Sequence, residues 1–245
     1  MWDGHWHVQR FDELNSTNSY LQEEARQGAP EGTVVVADHQ TSGRGRLGRR
    51  WESPPGASLL VSILFRPDLR LEDLHLCTAT VALAAVDACR DVAQVEPALK
   101  WPNDLLVGER KLAGVLAEAD FEGGACTVVV GIGINVAWPG PPDVGGTCLN
   151  QESGRENDRD TLLHALLAAL APLRARLDTA DGRRSIAADL RSRCTTLGQR
   201  VHVELANRSV EGVATDVDEA GHLVVHTDSG LVTVLAGDVV HLRPS

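Results

Sequence analysis

Between Gly43 and Trp51 the chain reads Gly-Arg-Gly-Arg-Leu-Gly-Arg-Arg-Trp, three glycines and four arginines in nine residues of a protein whose net charge is −11. Such a segment cannot enter a core, because its guanidinium groups need water or anions. It predicts a loop that orders over an anion. Arginine forks match phosphate and carboxylate oxygens, and glycine lets the backbone come close. Gly43, Gly45 and Gly48 also satisfy the spacing G-x-G-x-x-G, which in dinucleotide-binding folds needs a strand directly before it and a helix directly after. The apolar run Thr33–Ala37 is separated from Gly43 by Asp38-His39-Gln40-Thr41-Ser42, and Glu52-Ser53-Pro54-Pro55-Gly56 cannot open a helix. The Rossmann reading is therefore rejected. By spacing alone, a nonspecific nucleic-acid patch and a solvated loop stand beside a small-molecule phosphate loop.

The chain has 245 residues, enough for one large domain or one with a small appendage, and 43% of them are apolar. A pI near 5.2 argues against general affinity for nucleic acid. Five cysteines without C-x-x-C spacing read as free thiols of a reducing cytoplasm, with no metal site expected. Met1–Arg10 lacks the apolar stretch of a secretory signal, and no run is long enough to span a membrane. All but two of the 23 basic residues are arginine. The exceptions, Lys100 and Lys111, suggest a need for a compact cation at two nearby places, against the alternative of chance.

In chain order, His7–Phe11 reads as a strand. Asn15-Ser16-Thr17-Asn18 reads as an N-cap cluster ahead of a helix over Ser19–Gln27, with Gly28 behind it. Thr33–Ala37 and Ser58–Phe65 read as strands, and Glu72–Arg90 as a core helix. Lys100-Trp101-Pro102-Asn103-Asp104 leads into a hairpin, Leu105–Val107 and Lys111–Glu118, which brings the two lysine-bearing segments together. Cys126–Val130 runs into Gly131-Ile132-Gly133-Ile134-Asn135, where glycines mark either a bulge or a close approach to the backbone. Trp138–Asn150 is loop. A helix capped by Asp158 or Asp160 runs to about Leu177, and another covers Ser185–Cys194. From Gly198 the pattern changes to short alternating strands: Arg200–Leu205, Ser209–Asp216, His222–Thr227, Leu231–Leu235 and Val239–Arg243. Their turns fall at Ala206-Asn207, Glu219-Ala220-Gly221 and Asp228-Ser229-Gly230. This pattern predicts a small barrel serving as a docking module.

Taken together, Ser16-Thr17-Asn18, Gln40 with Gly43–Trp51, Lys100–Asp104, Lys111–Leu116 and Gly131–Val136 resemble the biotin protein ligases, in the family's order and over most of the chain. The element pattern alone supports α/β with an all-β tail. The resemblance implies an α+β fold: a mixed sheet flanked by helices, related to class II synthetase catalytic domains, over residues 1–196, and a small SH3-like β-barrel over 197–245. Some members carry an N-terminal winged helix, for which the stretch ahead of His7 leaves no room. A form without a DNA-binding domain is expected, with no nucleic-acid or membrane partner.

The implied reaction has two steps. Biotin and ATP, with Mg2+, give biotinyl-5′-AMP and pyrophosphate; a lysine of a biotin carboxyl carrier domain, of acetyl-CoA or a related acyl-CoA carboxylase, then takes the biotinyl group. Matched to the family, Lys111 places a cation between the two anions of the first step. Arg46 holds biotin and phosphate, and Asp104 orients or deprotonates the acceptor amine, or else only holds Lys100 or a metal. The biotin side would comprise Ser16, Thr17, Asn18, Gln40, Gly43, Arg44, Arg46, Lys111 and Gly114. The ATP and adenylate side would comprise Gly45, Arg49, Trp51, Lys100, Asn103, Gly133 and Asn135. The metal ligands are left unassigned. The Arg/Gly loop fits a lid that keeps water from a mixed anhydride, and Leu47 is its one apolar departure. Lipoate or octanoate ligation is the same-fold alternative. Gln40 and Thr17 argue for biotin, since an acid without a ureido ring would not need them.

Overall fold

The chain enters through β1 (His7–Leu14) and turns at Asn15 into α1 (Thr17–Arg26), whose N-cap Ser16 accepts the backbone N–H of Ser19. The helix starts two residues ahead of the expected Ser19, so Thr17 and Asn18 belong to its first turn and are buried. This computed structural model describes residues 6–121, 126–205, 208–235 and 237–241.

Five further strands follow before the midpoint of the chain: β2 (Thr33–Gln40), β3 (Ser58–Phe65), β4 (Ala98–Lys100), β5 (Asp104–Val107) and β6 (Arg110–Asp120). With β7 (Thr127–Asn135) they form a seven-stranded sheet in the order β1-β2-β3-β7-β6-β5-β4. Its one parallel pair, β1 with β2, is the pair joined by a helical crossover, α1; all its other neighbours are antiparallel. Every residue of β3 is buried, as a continuous apolar strand covered on both faces must be.

Alternation sorts the strand residues between two layers. Val35, Leu64 and Val129 pack under Leu21 and Ala25 of α1. Their strand neighbours point the other way, into a larger core with α2 (His75–Ala93), α4 (Arg159–Arg176) and α5 (Ala180–Ser192). A short α3 (Leu149–Ser153) closes the stretch expected to be loop. Asp158, not Asp160, caps α4 by accepting the Thr161 N–H, and α5, capped by Thr179, starts at Ala180, five residues ahead of the expected Ser185. Between the layers, burying a leucine or valine side chain contributes roughly 1.5–3 kcal/mol each.

The C-terminal strands are β8 (Arg200–Glu204), β9 (Ser209–Val217), β10 (Leu223–Thr227), β11 (Gly230–Val234) and β12 (Asp238–His241). They form an antiparallel sheet in the order β11-β10-β9-β8-β12. The five strands match the expected SH3-like module; among the described residues no pairing joins β11 to β12, so closure into a barrel is not seen. Alternation specifies which side chains face inward, whereas closure depends on tilt and stagger, which alternation does not encode. The expected turn at Ala206-Asn207 and the end of the last strand at Leu242-Arg243 lie outside the described residues. This sheet is docked by polar contacts: the Trp101 indole donates to Gly221 O at 3.0 Å, and His222 Nε2 donates to Glu72 O at 2.9 Å. No helix among the described residues is long and apolar enough to cross a membrane.

Candidate active site

The site is built on the α1 face of the sheet. β2 runs on to Gln40, three residues past its expected end at Ala37, and this carries the Gln40 amide to the first turn of α1. Gln40 Oε1 accepts from Thr17 N at 2.8 Å and from Thr17 Oγ1 at 3.0 Å. Ser62 on β3 lies beneath, 2.8 Å from Thr17 Oγ1, and donates to Asn18 Oδ1 at 2.6 Å. The Asn18 amide donates to Leu116 O and to Glu118 Oε2. Gly131 is what lets Asn18 in, for a Cβ there would collide with Asn18 Oδ1. The glycines in β7 thus mark close approach, at this position by a side chain of the protein itself.

The Arg/Gly segment folds back on itself as a small lid. Trp51 N donates to Gly43 O at 3.0 Å and Gly45 N to Arg49 O at 2.8 Å, and the tip is a tight turn in which Arg49 N donates to Arg46 O at 3.1 Å across Leu47 and Gly48, both with positive φ. The extension of β2 shortens the gap before Gly43 to Thr41 and Ser42. The rejection stands on the other side, because residues 52–57 contain no helix. At the tip, Leu47 takes a left-handed φ of 54° and is 70% exposed. Arg46 donates to Asn103 Oδ1 at 3.2 Å, and Asn103 in turn donates to Val115 O, tying the lid to β6. Arg44 pairs with Glu118 at 2.7 Å. Trp51 lies flat against the sheet: a Cβ on Gly133 would stand 2.5 Å from its ring, and one on Gly114 3.1 Å. Beside the indole, the recess lined by Thr17, Asn18, Gln40, Gly131 and Gly133 has a free volume of only about 30 Å³.

Lys111 reaches this face through a one-residue bulge. Asp104 pairs with Gly114 and Leu105 with Ala113, but Leu106 pairs with Lys111, leaving Leu112 as the extra residue. Regular alternation would put Lys111 on the face of Ala113 and Val115, toward α2. The bulge turns it to the side of Gly114 and Asp104. Its Nζ is 2.6 Å from Asp104 Oδ1 and 5.8 Å from the Trp51 ring centroid. A cleft of about 710 Å³ opens here, between the lid and a wall formed by residues 139–146. That wall is strapped to the lysine's own backbone: Lys111 N donates to Gly145 O and Thr147 N to Lys111 O. Asn135, buried, donates to Thr147 O at 3.0 Å from the same wall.

The chain matches the Biotin/lipoate A/B protein ligase family over residues 10–135 and the Biotin protein ligase C terminal domain over residues 196–242. It is 38% identical, over 94% of its length and 87% of the relative's, to the biotin–[acetyl-CoA-carboxylase] ligase of Mycobacterium tuberculosis. The chain belongs to the biotin protein ligase family. A second relative, the bifunctional ligase/repressor BirA of Bacillus subtilis, is 32% identical over 95% of this chain and 73% of its own. Among solved structures, the biotin protein ligase from Aquifex aeolicus in complex with biotin and ATP superposes with a TM-score of 0.83 at 29% identity, over 97% of this chain and 99% of that one.

Within the biotin protein ligase fold, the residues singled out from sequence fall into two connected spaces. Ser16, Thr17, Asn18, Gln40 and Gly133 line the recess; Gly45, Arg46, Arg49, Asn103, Asp104, Lys111 and Asn135 line the cleft; Arg44, Trp51 and Gly114 line both. Gly43 closes the stem of the lid. Lys100 is separate. It sits on β4 at the end of the sheet, its Cα opposite Asp104, and it lines neither space. The carboxylate read as a holder of Lys100 holds Lys111 instead. Sequence reasoning missed Ser62, Glu118 and the wall at residues 139–146. Ser62 and Glu118 lie on strands whose apolar neighbours hide them. The wall's proline and glycine content signals only a loop.

On the opposite face, a cavity of about 210 Å³ is lined by Arg46, His75, Thr78, Asn103 and Leu235. His75 Nε2 is buried there without a hydrogen-bond partner. Burial lowers its pKa to about 4, helped by His222 and Arg46 and opposed by Asp218. The buried thiols Cys77 and Cys89 are pushed up to about 12 by desolvation, and all five cysteines are free.

Proposed function

We propose that the chain activates biotin with ATP and transfers it to a lysine of a biotin carboxyl carrier domain, of acetyl-CoA or a related acyl-CoA carboxylase. In the first step a biotin carboxylate oxygen attacks the α-phosphorus and the bond to the β-phosphate oxygen breaks, giving biotinyl-5′-AMP and pyrophosphate. In the second the acceptor amine attacks the acyl carbon, the acyl–phosphate bond breaks and AMP leaves. The observation that carries this reading is the Lys111 ammonium, placed by its bulge between a recess rich in amide and hydroxyl groups and a cleft roofed by arginines.

Bringing a carboxylate onto a phosphate costs Coulomb repulsion that grows as water is excluded, and a fixed cation at that point offsets it without reorganisation. Lys111 takes that role, held ready by Asp104. Arg46 and Arg49 bind phosphate oxygens. Gln40 and Thr17 offer the ureido ring of biotin a donor and acceptors at the closed end of the recess. Leaving one such group unpaired would cost about 1–3 kcal/mol. When the acceptor lysine arrives, Asp104 is the carboxylate placed to take its proton. Asn135 orients the nucleotide from the far wall.

Magnesium enters this reading as part of the nucleotide substrate. No group of three or more potential metal-ligating side chains occurs among the described residues. Glu52, Asp104 and Asp143 each line the cleft singly. That donor set suits an ion held mainly by phosphates and water with one carboxylate, the usual way of binding Mg2+ at nucleotides. The reading assigns catalysis to residues 1–196, docking to 197–245, and the cytoplasm as the place of work.

The deciding experiment is ATP–pyrophosphate exchange with biotin, lipoate or octanoate, with Lys111→Ala as control. Exchange with biotin alone, slowed by about 10²–10³-fold in the control, is the expected result. Exchange with lipoate alone would move the chain to the lipoate branch of its family, and no exchange with any acid would end the reading.

A further inference from the structure

We infer that Glu118 is a positioning residue that ties the Arg/Gly lid to the biotin recess, so that lid closure and recess geometry are set together. This rests on the reading of the site as one that adenylates biotin.

The strand sets up the contact. Gly114, Leu116 and Glu118 alternate onto the site face of β6, opposite Gly133, Gly131 and Val129 of β7. Glycines in the first two rows make room for Trp51 and Asn18, and the third row places a carboxylate beyond them, outside the recess lining, within reach of Arg44 and Asn18. Its side chain is only 18% exposed. One oxygen, Oε1, is 2.7 Å from the Arg44 guanidinium; the other, Oε2, accepts the Asn18 amide at 2.9 Å. Each oxygen is therefore committed to a different element, the lid and the first turn of α1.

Both partners transmit what Glu118 fixes. Asn18 is buried, with its Oδ1 accepting from Ser62 and Ser62 Oγ within 2.8 Å of Thr17 Oγ1, so its amide orientation sets that of the Gln40 pair. Arg44 bridges to Arg50 across the lid stem, next to the Gly43–Trp51 hydrogen bond. Holding Arg44 thus holds the stem that carries Trp51. An exposed ion pair with no such connections would contribute little and would leave biotin binding unchanged. Glu118 differs because one carboxylate serves two elements that both border the ligand.

The test compares wild type, Glu118→Gln, Arg44→Ala and the double variant by biotin-dependent exchange, melting temperature and trypsin cleavage within residues 44–50. Glu118→Gln can still accept from Asn18 but loses the charge that holds Arg44. We expect it to raise the KM for biotin about tenfold, with kcat changed less than about threefold and the melting temperature kept, and to speed lid cleavage. Arg44→Ala should reproduce the KM effect, and the double variant should be no worse than the more impaired single variant, the signature of a shared interaction. A Glu118→Gln enzyme with wild-type KM and wild-type cleavage, or effects of the two changes that multiply, would overturn the inference while wild-type exchange left the proposed function standing. Absence of biotin-dependent exchange in the wild type would instead overturn both.

Discussion

The ammonium of Lys111 and the carboxylate of Asp104 lie 2.6 Å apart, on neighbouring strands whose regular register would have sent them to opposite faces. On the proposed reading the pair divides the two half-reactions. Lys111→Ala should slow biotin-dependent exchange by about 10²–10³-fold, the usual effect of removing a preorganised charge. Lys111→Arg should rescue little, because a longer, delocalised cation cannot occupy the same point. Asp104→Asn should leave exchange within about tenfold of wild type and slow transfer to a carrier lysine by about 10²-fold or more. Single-turnover measurements of each step check this, and equal losses in both would remove Asp104 from the second step.

On the proposed reading, seating the bicyclic ring of biotin in the recess beside Trp51, about 30 Å³ against the roughly 300–1,000 Å³ of ordinary ligand pockets, requires the indole to shift. Binding should therefore change tryptophan fluorescence, and Trp51→Phe should abolish most of that change. A full signal retained in the variant would assign the motion to another of the five tryptophans.

Gly131→Ala should reduce stability by about 1–3 kcal/mol, because the added methyl collides with the buried Asn18 amide rather than with a mobile side chain. Urea unfolding would register this as a lower midpoint with an unchanged slope. The same change should weaken biotin binding, since Asn18 cannot move without disturbing Ser62 and Thr17. An alanine variant as stable as wild type would contradict the packing described above.

Acid should weaken the fold through His75. Its folded pKa of about 4, lowered first by burial and then by His222 and Arg46 against the pull of Asp218, lies below an unfolded value of about 6.5. Between these values the unfolded chain holds more protons, so acid favours unfolding. The contribution is complete above about pH 6.5, falls away as pH drops to about 4, and amounts to at most roughly 3 kcal/mol. Comparing unfolding free energies at pH 7 and pH 5, the difference should shrink in His75→Leu. Equal pH dependence in the two proteins would place the effect elsewhere.

Much of the site was legible because its chemistry is compositional. The Arg/Gly run and Lys111 stand out by composition and do line the site, whereas Lys100, picked out by the same signal, lies outside it. Ser16, Thr17 and Gln40 stand at a helix start and beyond a strand, where their residues alone suggest only capping; the family resemblance assigns them to the ligand, and the helix begins earlier and the strand ends later than the sequence suggests. Glu118 and Ser62 were not found. Each is one polar residue in an apolar strand, a pattern shared with any solvated strand, and their partners lie 44 or more positions away.

The sequence by itself determined most of the elements, an α/β pattern and the all-β tail, because periodicity is a local property; the mixed sheet and the chemical class of the site came with the resemblance to the biotin protein ligases. Tertiary structure decided which charges meet. Lys111 pairs with Asp104 rather than leaving that carboxylate to Lys100 because the extra residue at Leu112 shifts the register of β6 against β5. It also decided the order of the terminal strands and that the Glu118 carboxylate meets both Arg44 and Asn18. Each of these depends on the relative placement of backbone segments far apart in the chain. That placement comes from burying two faces of one sheet at once, which no single stretch of sequence can specify.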